Sequence, residues 1–191
     1  MRSIFFILAA TAIVVTGCNV QTGVAPTETV IPKTSERDFG FTGTWTPVPD
    51  AKSDAEDLGE YEMTINRDGS YLATMKVTTD GVTDSFVAEF RTHEMSPDHP
   101  HAIVELEVKN LGYRRLAIAA VKGDYLSLWT IDGRKIGKLL YDNEVAAVIE
   151  HSTFSSTVRC DPEKLLKTVT DHSSDLVGSA QVFKRLPKDG R

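Results

Sequence analysis

The 191-residue chain has only two cysteines, Cys18 and Cys160, and no basic run longer than the pair Arg114-Arg115. So little cysteine removes the disulfide framework on which small exported domains lean, and the fold has to be held by its core. About 150 residues suffice for that, since such a chain buries close to two-thirds of its unfolded surface. The missing basic cluster argues against nucleic acid as a partner, because phosphate binding needs concentrated positive charge. A net charge of -6 likewise disfavours electrostatic adhesion to membranes and is what solubility asks for. Also absent are a Gly-x-Ser-x-Gly turn, a Ser-x-x-Lys element and a His-Glu-x-x-His helix, and no glycine loop between strand and helix cradles phosphate. The expectation is a non-catalytic protein with no cofactor.

Only one long hydrophobic run exists, and it stands at the N-terminus. Arg2 precedes an apolar stretch of about a dozen residues, which fits a secretory signal, whereas a bilayer-spanning helix needs roughly 20. The run ends Val15-Thr16-Gly17-Cys18, which resembles the lipobox of bacterial lipoproteins. That resemblance implies a signal peptide over residues 1–17, acylation of Cys18 with three chains of the palmitate kind, and a lipid anchor in the cell envelope. Asn19 in place of Asp implies, in a two-membrane cell, delivery to the periplasmic face of the outer membrane. Losing residues 1–17 removes Arg2, which leaves 20 Lys and Arg against 27 Asp and Glu and moves the charge to -7. Cys160 then has no disulfide partner within the chain, and with Arg159 and Asp161 beside it and no neighbouring His it reads as a bland thiol.

Residues 18–38 read as the lipidated cysteine and a flexible tether, rich in Thr, Val and Pro without period. About 20 such residues span on the order of 25 Å. Residues 39–187 read as one domain and 188–191 as a tail.

Period-two alternation recurs in short runs divided by turn signals, the pattern of antiparallel β structure. Tyr61, Met63 and Ile65 alternate with polar residues, Asp68-Gly69 supplies a hairpin turn, and a strand follows from Ser70 to about Thr78. Phe86, Ala88 and Phe90 share a face, as do Ala102, Val104, Leu106 and Val108. Runs at Tyr113–Val121, Tyr125–Ile131, Lys135–Leu140 and about Val148–Val158 continue the meander. The period then changes: Asp161 caps, Pro162 opens a helix to about Asp171, and a last strand runs from Ala180 to Leu186. The fold class expected is all-β, an antiparallel up-and-down barrel with one short helix before the last strand, because closure removes exposed edges. A generic antiparallel sandwich or half-barrel is the alternative.

Phe41-Thr42-Gly43-Thr44-Trp45 on the first strand and Phe183-Lys184-Arg185 on the last resemble the lipocalin-like (calycin) pattern. The resemblance implies that Gly43 and Trp45 enter the barrel and Arg185 packs across the indole to close one end, a contact worth about 0.5 to 2 kcal/mol. The Thr-Asp-Tyr signature and the disulfide of that family are missing here.

Two functions remain open on these residues. In the first, the barrel holds a small hydrophobic ligand, a lipid or acyl chain, lined by Met63, Met75, Phe86, Phe90, Leu106, Leu116, Ile118, Leu126 and Leu128. In the second, the same residues fill a solid core, and an accessory lipoprotein meets an envelope protein through a patch such as Tyr113, Tyr125, Trp129 and Ile131. Cavity volume separates the two. His93, His99 and His101 are weak candidate metal ligands, since His-x-His on an extended segment puts both rings on one side. A solvated polar loop is the favoured reading there. His151 beside Glu150 reads as a partly exposed strand histidine, Asp54, Glu56 and Asp57 as a solvated loop, and His172-Ser173-Ser174-Asp175 as a helix exit.

Overall fold

The computed structural model describes residues 23–48, 60–79, 81–108, 113–151 and 155–187. The signal segment, Cys18 and its lipobox, and the loop holding Asp54, Glu56 and Asp57 lie outside the described residues.

In chain order the strands are β1 (Gly23–Pro26), β2 (Gly43–Pro47), β3 (Glu60–Asp68), β4 (Ser70–Thr79), β5 (Val82–Glu94), β6 (His101–Val108), β7 (Tyr113–Lys122) and β8 (Tyr125–Ile131). Helix α1 (Gly133–Asp142), the hairpin β9 (Ala147–His151) and β10 (Ser155–Cys160), helices α2 (Pro162–Asp171) and α3 (Ser173–Leu176), and β11 (Val177–Arg185) follow. Eight strands close into an antiparallel barrel in the order β11-β2-β3-β4-β5-β6-β7-β8, the up-and-down, lipocalin-like architecture expected. The other three form a separate sheet in the order β1-β10-β9, with β1 parallel to β10.

Local chemistry accounts for the turns. Gly69, at φ +73°, allows the hairpin in which Asp68 pairs with Ser70, and Gly123, at φ +60°, does the same between β7 and β8. Asp161 accepts the Lys164 N–H at 3.0 Å and Pro162 occupies the first turn of α2, whose Leu165 and Val169 are buried.

Three expectations are corrected. Lys135–Leu140 is not a strand but the middle of α1. The Asp132 carboxylate accepts the N–H groups of Arg134 and Lys135 at 2.9 and 3.3 Å, and Ile136 and Leu140, four apart, are buried on one face. The single run expected near 148–158 is the β9–β10 hairpin, with His151 opposite Ser156. Residues 23–38 are not a tether. All four residues of β1 are buried, Val30 and Ile31 are buried, and the segment straps the outside of the barrel.

Two cores result. Inside the barrel lie Phe39, Phe41, Trp45, Tyr71, Phe90 and Phe183, with Met63, Ile65, Val104, Leu126 and the small residues Ala73, Ala102 and Ala119. Outside it, Ile103 of β6, Leu116 and Ile118 of β7 and Ile131 of β8 form an apolar wall under β1, β10, the strap and the helices, which contribute Val24, Val30, Ile31, Ile136, Leu140, Val158, Leu165, Val169 and Leu176. One buried charge pins this layer. The Glu105 carboxylate, 1% exposed, accepts the Val30 N–H at 3.0 and 3.1 Å and the Ile31 N–H at 2.7 Å. Without it two strap donors would be buried with no acceptor.

Candidate functional site: an apolar cavity in the barrel

One end of the barrel is shut by sequence-distant residues. The Arg185 guanidinium lies 4.2 Å from the Trp45 ring centroid and donates to the carbonyls of Thr42 at 2.7 Å and Gly40 at 2.8 Å. Trp45 Nε1 donates to the Phe41 carbonyl at 2.9 Å. Gly43, at φ +145°, stands where a Cβ would come 2.8 Å from Arg185 Nη1, so a side chain there meets both strain and a pinned guanidinium. The structure thus brings Gly43, Trp45 and Arg185 together. Above them Phe41, Tyr71 and Phe90 pack ring against ring, Tyr71 and Phe90 stacked at 4.9 Å between centroids.

Beyond the rings the interior is not filled. A cavity of about 110 Å³ reaches from Phe41 and Phe90 past Met63, Leu106, Leu126 and Leu128 to Arg115, Thr130 and Gln181. Its wall is apolar apart from those last three. The room exists because β4 and β7 turn alanines inward: Ala73, Ala117 and Ala119 line it where larger side chains would have closed it.

Of the nine expected lining residues, Met63, Phe90, Leu106, Leu126 and Leu128 line the cavity. Met75 packs on the inner core, and Phe86, its registered neighbour on β5, is half-buried; neither lines the cavity. Leu116 borders it but groups with the outer core, as does Ile118. These two are therefore outward residues. Strand β7 is apolar on both faces, so alternation alone does not say which face looks in. Arg115, Thr130, Gln181 and the alanines were not foreseen. The Arg114-Arg115 pair at the start of an otherwise apolar run was the one available signal.

The docking patch expected at Tyr113, Tyr125, Trp129 and Ile131 is not a patch. Ile131 is fully buried and Trp129 packs against the outer core; Tyr125 is exposed, and the side chain of Tyr113 lies outside the described residues.

Chain comparison finds no matching protein-family model, no matching curated protein and no matching solved structure. Function therefore has to be read from the geometry of this chain.

The other candidate groups are placed as follows. His99 Nδ1 and His101 Nδ1 lie 3.1 Å apart, and the His101 ring meets Trp129 edge-on at 5.2 Å. Among the described residues no three His, Cys, Asp or Glu side chains gather as a metal would need. Burial first, then the nearby His99 charge, holds His101 below the ordinary imidazole range; burial does the same for His93, with Glu94 opposing. His151 Nδ1 lies 2.8 Å from Ser156 Oγ, but Ser156 is fully buried and offers no nucleophile to a substrate. Burial and then Asp161 push the Cys160 thiol up, away from the reactive thiolate. His172 stands at the N-cap position of α3 without a side-chain capping bond, and that single turn contains Ser173, Ser174 and Asp175.

Proposed function

We propose that this protein is a lipocalin-like envelope lipoprotein, anchored through acylated Cys18, that binds a small apolar ligand inside the barrel without catalysis. The observation that carries the reading is the apolar cavity of about 110 Å³. Its size narrows the ligand. A cavity of about 150 Å³ takes benzene, whereas drug-sized ligands occupy roughly 300 Å³ or more. The occupant is thus a compact apolar molecule or the end of an acyl chain. Arg115, Thr130 and Gln181 at one end of the cavity would orient whatever polar group such a molecule carries. The solid-scaffold alternative draws its support from the ring-packed half of the same interior.

Native mass spectrometry of a Cys18→Ser chain, exported without acylation and purified without detergent, tests the reading. An added mass that organic extraction removes is expected, that of a compact apolar molecule or a single acyl chain. Its loss in an Ala117→Leu variant would tie it to the cavity. A bare chain, unchanged after incubation with extracted envelope lipids, would favour the scaffold.

A further inference from the structure

The point where the chain enters the fold lies beside the cavity. Gly23 pairs with Ser155, bridges Asp132 at the end of β8, and stands where a Cβ would come 2.9 Å from Arg115 Nη1 and 3.3 Å from Thr130 Cγ2. Arg115 and Thr130 are polar wall residues of the cavity. Gly23 to Pro26 are buried and hydrogen-bonded into a sheet, so the chain is fixed from Gly23 onward.

That leaves little slack. From Cys18 to Gly23 the chain reaches at most about 18 Å when fully extended, and a flexible segment of that length averages about 12 Å. A 25 Å spacer of the kind the composition suggests does not exist.

A second observation bears on the same end. Helix α1 starts one residue after Asp132, and its first turn holds no acidic residue but the exposed Arg134 and Lys135. Cations there oppose the helix dipole. Lipid phosphates lying against that turn would offset the penalty, since basic residues are attracted to an anionic lipid surface.

We infer that the anchor holds the barrel end formed by Gly23, Asp132 and the first turn of α1 directly against the bilayer surface, so that the Arg115–Thr130–Gln181 end of the cavity faces the headgroups and exchanges its ligand with the membrane. The inference rests on the lipoprotein reading above. Lys122, at the opposite end of β7, then stands farther from the bilayer, by about 15 Å for strands of this length and barrel tilt.

The test uses the mature, full chain reconstituted into phosphatidylethanolamine–phosphatidylglycerol vesicles that carry a headgroup-linked acceptor dye. In a Cys160→Ser background, a donor dye is placed on Arg134→Cys or on Lys122→Cys, both exposed positions, and the mass of the N-terminal peptide is measured on the same sample. The expected result is an acylated Cys18 with energy transfer several-fold higher from position 134 than from 122. Acylated protein with equal transfer, or more from 122, would overturn the orientation and leave the lipoprotein reading standing. An unmodified Cys18 would overturn both. A Gly/Ser insert of about ten residues between Cys18 and Gly23, which lengthens the mean flexible span from about 12 to about 21 Å, should bring the two signals together; a difference that survives it would contradict the short anchor as the cause.

Discussion

The two cores of this molecule are built from different chemistry. Among the described residues, the inner one combines six buried aromatic residues with alanines, whereas the buried side chains of the outer one are all aliphatic and Trp129 packs only at its margin. Aromatic rings fill space in large rigid pieces, so beside small residues they leave gaps that branched aliphatic chains would occupy. The cavity accordingly lies in the inner core, beyond Phe41 and Phe90, where Ala117 and Ala119 face it. The outer core has another task. It fastens the strap and the helical layer to the β6–β8 wall, and it holds a buried carboxylate satisfied by two strap N–H groups. One region is shaped around space, the other around attachment.

Removing the strap is the most severe way to break that comparison. A chain begun at Thr34 loses Val24, Val30 and Ile31 from the outer core. At about 1.5 to 3 kcal/mol for each buried side chain, the total rivals a domain's whole stability of roughly 5 to 15 kcal/mol. Urea unfolding should show collapse or near-collapse; a barrel of unchanged stability would make the outer layer a mere appendage. Trp45→Ala attacks the inner core instead and should cost about 3 to 5 kcal/mol in the same measurement. Glu105→Ala should cost about 1 to 3 kcal/mol for each of the two buried donors it leaves unmet. Its distinguishing mark is faster amide exchange at Val30 and Ile31 while inner-core amides stay protected.

The difference between the cores also decides what the sequence could show. Strands β3 to β5 face solvent on one side, so Met63, Ile65 and Phe90 alternate with polar residues and their inward direction was legible. Strands β6 to β8 are sandwiched between the cores, and their two-sided apolarity hid the facing of Leu116 and Ile118. The same sandwich made the strap unreadable, since Val24, Val30 and Ile31 are spaced without period and only the fold supplies the wall they cover. Helix α1 was missed for a local reason. Asp132-Gly133 serves equally as a hairpin turn or as a cap with the first helical residue, and the spacing of Ile136, Leu139 and Leu140 was the signal that favoured the helix. The closing residues Gly43, Trp45 and Arg185 were legible because one residue triplet at each end of the domain carries the contact.

Two finer effects sharpen the contrast. Gly43→Ala should cost about 1 to 3 kcal/mol, through strain at positive φ and displacement of Arg185, and Trp45 fluorescence should shift as its cation partner moves. The smallest effect is one of pH. His93 and His101 are held below their ordinary value of 6.5, so the folded protein binds fewer protons than the unfolded chain. Their contribution is full above the unfolded value and is lost as pH falls through 6.5 toward the folded values, below which it levels off. Urea midpoints measured on both sides of that window should fall on acidification, and less so in His101→Gln than in the natural chain.

The most direct measurement is a thermal-shift titration of the Cys18→Ser chain with benzene, a probe matched to the cavity, beside the Ala117→Leu variant. A melting temperature that climbs with the logarithm of benzene concentration for the first and stays level for the second is the predicted result, because a ligand at free concentration c bound only by the folded state stabilises it by RT ln(1 + c/Kd). No rise, or the same rise in both proteins, would contradict the claim that the barrel is built around a ligand site.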